Sequence, residues 1–456
     1  MSSKTAKGNR ASFVCSECGA SAGKWVGRCA QCQAWGTVAE VGTGAESGPR
    51  TAAITPSSSA QPIAEVDSHA ARYRPTGVGE FDRVLGGGIV PGAVVLLAGE
   101  PGVGKSTLLL DVAARAAAGG ATVLYITGEE SAAQVRMRAE RIEALQPTLL
   151  LASESDLGRV LGHVEAATPD LLVVDSVQTI SSAAVEGSAG GVAQVREVAA
   201  ALISVAKRTD LPVVLVGHVT KDGAIAGPRV LEHLVDVVCQ FEGDKHAQLR
   251  LVRAVKNRFG SVDEVGCFTL DEHGIHGLPD PSGLFLSGIQ DSVPGSCVTI
   301  TLDGRRPMPI EVQALLARSS TPAPRRATHG LDSSRVAMTL AVLAARLGLD
   351  TAGFDVYLST VGGARAHEPA VDLAAALAVV SARREVALPV GLIALGEVGL
   401  AGELRPVLGT PRRLAEAKRL GYTRAILPSS QPVELGGIRI QQAATLREAV
   451  ELVAHD

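Results

Sequence analysis

The sequence is poor in aromatic residues, with seven Phe, four Tyr and two Trp among 456 residues. That scarcity argues against an extended base-stacking platform. Charge of one sign is not in excess either: 43 Lys and Arg against 47 Asp and Glu give a net charge of −4. Any nucleic-acid contact is therefore expected to use local patches. No apolar run approaches the ~18 residues of a membrane span. No apolar segment follows the basic start MSSKTAKGNR, as a secretory signal would require. The expectation is a cytoplasmic protein with no membrane partner. What is present is 46% hydrophobic residues, enough to bury a large core and to exclude disorder as the main theme. The length suggests about three domains.

Cysteine is sparse and unevenly placed. Cys239, Cys267 and Cys297 are scattered, whereas Cys15, Cys18, Cys29 and Cys32 form two CxxC pairs ten residues apart. An odd total of seven without an export signal argues against a disulfide framework. Two such knuckles can wrap one tetrahedral Zn²⁺ through four thiolates, a closed and therefore structural site. The surrounding unit, residues 10–40, carries both tryptophans, Trp25 and Trp35. Residues 1–36 hold Lys4, Lys7, Arg10, Lys24 and Arg28 against Glu17 alone. Two readings are open: a basic, aromatic contact surface, or tryptophans that form the minicore of a small module.

Residues 41–72 are rich in Gly, Ser, Ala, Pro and Thr and read as a flexible linker. From 73 to 278, apolar strand candidates at 94–98, 122–127, 171–175 and 212–216 alternate with helix candidates at 106–118, 131–143, 157–167 and 192–208. This alternation predicts an α/β fold with a parallel sheet covered by helices. Residues 279–456 mix strands (297–302, 356–359, 392–395, 425–427) with helices (334–347, 371–383, 412–420, 446–454), a second α/β or α+β domain.

Gly99-Glu100-Pro101-Gly102-Val103-Gly104-Lys105-Ser106 fits G-x-x-x-x-G-K-[ST] at every fixed position, between a strand and an apolar-periodic helix. The glycines let backbone N–H groups wrap a phosphate at the positive end of the following helix. Lys105 is expected to reach the β- and γ-phosphates of ATP and Ser106 to hold Mg²⁺, with Thr107 closing the nucleotide-contacting stretch. LLVVD ends in Asp175, which would hold the magnesium through water or Ser106. The strand VLYIT runs into Glu129 and Glu130. Glu129 is the first candidate for activating water and Glu130 the second, although Glu-Glu-Ser also suits a helix start. His218, ending VVLVG, is either a γ-phosphate sensor or a structural histidine.

These features occur in a fixed order: the knuckle CAQCQAWGTVAE, the loop GEPGVGKSTLLL, then YITGEES, VVDSVQT, KNRFG at 256–260, VGGARAHEPAVDLAAALAVVSA and GEVGLAGELRPV. Together they resemble the bacterial RadA (Sms) family of DNA repair and recombination ATPases, over essentially the whole chain outside the linker. The resemblance implies a zinc finger, a RecA-like ATPase core and a C-terminal α+β domain like the Lon protease fold. It also implies ATP-driven branch migration by a homohexameric ring, related to DnaB-type helicases, on single-stranded and branched DNA, with the RecA recombinase as partner.

VRAVKNRFG reads as a strand that places Lys256 and Arg258 on one face. With the resemblance, they become arginine-finger groups acting on a neighbour's nucleotide. Without it, a solvated basic edge is equally open. Glycine-rich loops at 181–191 and 220–229 occupy the places of channel loops, with Lys221 and Arg229 as phosphate contacts.

A Lon-like fold raises an ATP-dependent protease as a rival. Ala370 stands where the serine nucleophile is expected and Pro411 at the lysine's place, followed by Arg412. Neither pair member can do that chemistry, and Ser359 and Ser381 fit no motif. The arginine pairs 305–306, 325–326, 383–384 and 412–413 could face a duplex or be solvated surface. A RecA-like regulatory ATPase without motor activity is a further alternative, separable by salt-dependent DNA binding.

Overall fold

The computed structural model describes residues 13–40, 62–65, 72–218, 230–243, 249–286, 293–430, 433 and 435–454. Most of the predicted linker, together with Lys221 and Arg229, lies outside the described residues. Among those described, no helix is long and apolar enough to cross a membrane. The chain divides into two compact units, Met1–Asp67 and Ser68–Asp456.

The smaller unit holds β1 (Phe13–Cys15), β2 (Ser21–Ala22) and β3 (Val38–Glu40), an antiparallel sheet in the order β2-β1-β3. Its core is Cys15, Cys29 and Val38, with Phe13, Ala20, Ala22 and Val26 against them. Trp25 and Trp35 are 64% and 74% exposed. The minicore reading of the tryptophans is therefore wrong, because the thiols occupy the centre that a larger apolar core would fill.

The larger unit opens with α1 (Gly79–Leu85), β4 (Val94–Gly99), α2 (Lys105–Ala118), β5 (Val123–Thr127) and α3 (Ala132–Arg141). It continues with β6 (Leu149–Ser153), α4 (Leu157–Ala167), β7 (Leu171–Asp175), α5 (Val192–Thr209) and β8 (Val213–His218). Every residue of β4, β5 and β7 is buried, as expected of strands covered on both faces. Helices α1–α3 pack on one face and α4–α5 on the other. Local chemistry sets the helix starts. Ser131 and Gln134 form a capping box before α3, and Asp156 accepts the Arg159 N–H before α4.

The sheet is not wholly parallel, contrary to the expectation. After β9 (Val237–Glu242) come β10 (Leu249–Asn257), β11 (Val265–Asp271) and β12 (Gly274–Gly277), an antiparallel meander. The order is β12-β11-β10-β9-β4-β8-β7-β5-β6, parallel from β9 to β6. This puts β4, and the loop after it, in the middle of the sheet.

The remainder comprises α6 (Ser282–Phe285), β13 (Ser296–Asp303), β14 (Arg306–Arg318), β15 (Arg326–His329), α7 (Ser333–Leu347), β16 (Phe354–Thr360) and α8 (Asp372–Arg384). Then follow β17 (Leu392–Ala394), β18 (Glu397–Val398), β19 (Leu404–Arg405), α9 (Thr410–Arg419), β20 (Arg424–Pro428), β21 (Arg439–Ala443) and α10 (Leu446–Ala454). Seven strands form one sheet, β15-β16-β14-β13-β17-β20-β21, with α7, α8 and α10 on one face and α9 on the other. The sequence reading missed β14, the longest strand, because Pro307 and Pro309 interrupt it. Those prolines pair only with β13; pairing with β16 begins at Val312, so their missing N–H groups break no ladder on the second side.

The β13–β14 turn inserts between the two sheets. Buried Arg306 pairs with Glu80 of α1 and donates to the carbonyls of Val265 (2.9 Å), Leu278 (3.1 Å) and Pro279 (2.7 Å). It is not a duplex-facing arginine. Arg413 is only 1% exposed and pairs with Glu368 at 2.5 and 2.7 Å. Arg326 donates to Phe354 and Thr351 carbonyls, and Arg383 lies 4.6 Å over the Phe354 ring. Three of the four predicted basic pairs thus lose a member to interior or backbone contacts, and Arg383 of the fourth is stacked.

Candidate functional site

The loop between β4 and α2 wraps tightly because Gly102 and Gly104 take φ of +83° and +109°, which other residues adopt at a cost. Lys105 opens α2 and is buried. Its Nζ donates to the carbonyls of Gly99 and Glu100, both at 2.9 Å. Burial pulls its ammonium down to about 8, against the favourable fields of Asp175 and Glu129. A buried cation held only by neutral carbonyls is one that an anionic ligand would stabilise. The loop therefore fits a nucleotide phosphate. Ser106 and Thr107 follow on the first turn of α2.

Asp175 ends β7, and its Oδ2 accepts the Tyr125 hydroxyl of β5 at 2.7 Å. Burial, then the Asp175 carboxylate, raises Tyr125 well above its ordinary value, so it stays a donor. Glu129 and Glu130, adjacent in sequence, part company in space. Glu130 pairs with Arg138 of α3 at 2.5 Å. Glu129 Oε1 accepts the Ser176 hydroxyl at 2.7 Å and lies 3.0 Å from His218 Nε2. The His218 ring, followed by Ser176, outweighs burial and lowers the Glu129 carboxyl to about 2. Lys105, Asp175, Glu129 and His218 therefore gather at the C-terminal ends of β4, β7, β5 and β8. Sequence reasoning missed Tyr125 and Ser176. The hydroxyl directly after Asp175 was the available signal for Ser176, and the mid-strand Tyr125 gave none.

The cation pair departs from the expected geometry. A register shift between Ala254 and Lys256 interrupts β10, which ends at Asn257, so Arg258 lies beyond the strand. Pairing with β11 stops at Arg253, so Lys256 and Asn257 are laddered to β9 alone. The two cations nevertheless converge on one segment. Lys256 Nζ donates to the carbonyls of Glu232 (2.7 Å) and Val235 (2.8 Å). Arg258 donates to Asp236 Oδ1 at 3.1 Å. Buried Asp236 also accepts from Lys207 (2.7 Å) and from the Val94 N–H of β4 (3.0 Å). The described loop 181–191 is folded back, with Gln194 of α5 bonded to Ser182 and Val185.

In the smaller unit, the four thiol sulfurs lie within 4.8 Å of one another. Cys15–Cys32 and Cys18–Cys29 are each 3.6 Å apart. A tetrahedral zinc with bonds of about 2.3 Å sets sulfurs about 3.8 Å apart, so the spacing of the set suits the metal. The Thr37 hydroxyl beside Cys15, and then the Cys18 N–H, lower that thiol to about 6.

In the larger unit, the residues weighed for a protease pair carry no reactive group: Ala370 is buried and Pro411 lies in the first turn of α9. Ser381 donates to the Val386 carbonyl and accepts from Gly295, and Ser359 donates to the Thr360 carbonyl.

Residues 80–224 match an AAA domain, and residues 13–40 match a rubredoxin metal binding domain. The chain is 53% identical to a DNA repair protein RadA of Mycolicibacterium smegmatis, over 97% of this chain and 96% of that one. It is 45% identical to a DNA repair protein RadA of Pseudomonas aeruginosa, over 96% and 98%. Likeness to a DNA repair protein RadA of Aquifex aeolicus is 41%, over 98% and 99%.

Proposed function

The chain belongs to the RadA family of DNA repair proteins, and we propose that it is an ATP-driven motor that promotes branch migration of recombination intermediates. The observation that carries this reading is the gathering of Lys105, Asp175, Glu129 and His218 around the glycine loop at the sheet's C-terminal edge. Residues 99–107 would hold the nucleotide, and Ser106 with Asp175 the Mg²⁺, which when bound neutralises phosphate charge. Glu129, free of the Arg138 pairing that engages Glu130, takes the water's proton. Residues 73–278 form the ATPase domain. Residues 279–456 are a non-proteolytic, Lon-like scaffold that supports assembly and DNA contact, and 10–40 form the structural zinc finger.

Lys256 and Arg258 complete a neighbour's nucleotide site within a homohexamer that works in the cytoplasm on single-stranded and branched DNA with RecA. The test is strand displacement on a branched DNA with ATP, beside a nonhydrolysable analogue. Displacement that requires hydrolysis supports the motor. ATP turnover with no DNA-dependent displacement, and no salt-dependent DNA binding, would leave a regulatory ATPase instead.

A further inference from the structure

We propose that Ser176 is a positioning residue: beside His218, its hydroxyl holds Oε1 of Glu129 and leaves Oε2 as the oxygen that accepts the proton of water. This rests on the reading of Glu129 as the activating carboxylate. Ser176 is fully buried, immediately after Asp175, and its hydroxyl donates to Glu129 Oε1 at 2.7 Å. His218 Nε2 approaches the same oxygen, at 3.0 Å. Among the described residues, neither contact falls on Oε2. A carboxylate on a strand tip has free rotation about its side-chain bonds, and a single restraint leaves it a cone of positions. A hydrogen bond from Ser176 and the close approach of His218 at the end of β8, both on Oε1, leave Oε2 as the oxygen without either contact.

The placement has a second consequence. Asp175 and Ser176 are consecutive. One turns its carboxylate to Tyr125 and the loop side, and the other turns its hydroxyl to Glu129. The end of β7 thus carries the candidate metal ligand and, on the next residue, the hydroxyl that holds the candidate base, so a shift of this strand end moves both. A misplacement of about 1 Å at such a site costs roughly 100-fold in rate. The charged and titratable groups facing Glu129 are His218 and Lys105. Both favour the carboxylate, and the Ser176 hydroxyl adds to them. Removing the hydroxyl takes away a donor to the charged form, so the Glu129 carboxyl titrates at higher pH.

The experiment compares full-length wild type, Ser176→Ala, Ser176→Thr and Glu129→Gln in steady-state ATP hydrolysis, with binding of a fluorescent ATP analogue as the check of fold and affinity. Ser176→Ala is expected to lower kcat about 10- to 100-fold. KM and analogue binding should stay near wild type, and the acid limb of the kcat profile should move to higher pH. Ser176→Thr, which keeps the hydroxyl, should recover most of the rate. If Glu129→Gln is inactive while Ser176→Ala keeps wild-type kcat and pH profile, the positioning role is wrong and the base assignment stands. If Glu129→Gln turns over ATP like wild type, the base assignment falls and takes this inference with it.

Discussion

Lys105 shows how far a single residue can be read before its surroundings are known. The spacing of the glycine loop is local, so the helix start at Lys105 was legible, while the two carbonyls that receive its ammonium were not. Its companions could not be found that way. Tyr125 meets Asp175 across 50 residues, and Ser176 meets Glu129 across 47. The two adjacent glutamates also differ in partner: Arg138, eight residues on, pairs with Glu130, and Ser176 meets Glu129. Replacing Lys105 by Ala should reduce ATP turnover by at least about 100-fold, through loss of charge stabilisation at the phosphates. The fold should survive, because the ammonium is held only by two carbonyls. Unchanged far-UV circular dichroism with lost phosphate release is the expected result.

Elements were legible where one rule governed them. Strands β4, β5 and β7 are continuous apolar runs because both faces are buried, and helix α4 runs from its Asp156 cap to Thr168 as its pattern predicts. β14 obeys two rules at once, a proline-bearing half with one neighbour and an apolar half with two, and so was not recognised. The turn before it carries Arg306 into the interior against Glu80 of α1. Both side chains are buried, so removing Arg306 leaves the Glu80 carboxylate with only the part-exposed Arg83 and the Cys267 N–H. Arg306→Met alone should therefore cost about 3–5 kcal/mol of stability. Glu80→Met with Arg306→Met should recover much of that, since two apolar side chains leave no charge behind. Denaturant unfolding of the three proteins measures the difference. Equal stability of single and double variants would show that the carbonyl contacts of Arg306, not its pairing, dominate.

At the scale of the whole molecule, the division into a ribbon and a larger α/β unit follows from composition, while the contacts between neighbouring chains do not. Chelation of zinc from reduced protein should unfold residues of the ribbon and leave ATP hydrolysis by the larger unit in place, since such modules fold only with metal. Elemental analysis should find one zinc per chain in freshly purified protein. The cations of 256–260 are tested by mixing. Arg258→Ala chains with an intact loop are combined with Lys105→Ala chains that keep Arg258. If Arg258 acts across the boundary between assembled chains, the first chain's nucleotide site receives its neighbour's arginine and part of the hydrolysis should return. If mixed rings form and nothing returns, these cations serve their own chain through Asp236, where Arg258 rests at 3.1 Å.

The placement of the two tryptophans makes the protein its own spectroscopic probe. Both indoles lie on the ribbon surface, flanking Gly27, where an added Cβ would meet Trp25 at 3.7 Å and Trp35 at 3.9 Å. The chain has no other indole. Emission excited beyond the tyrosine band therefore comes from the ribbon alone, and the larger unit is dark. The band should be that of water-exposed indole in the native protein. Melting of the ATPase core by denaturant is then invisible in this channel, while any molecule that covers the ribbon shifts or quenches the light against no background. Unlabelled protein can in this way report which of its partners touches the zinc module.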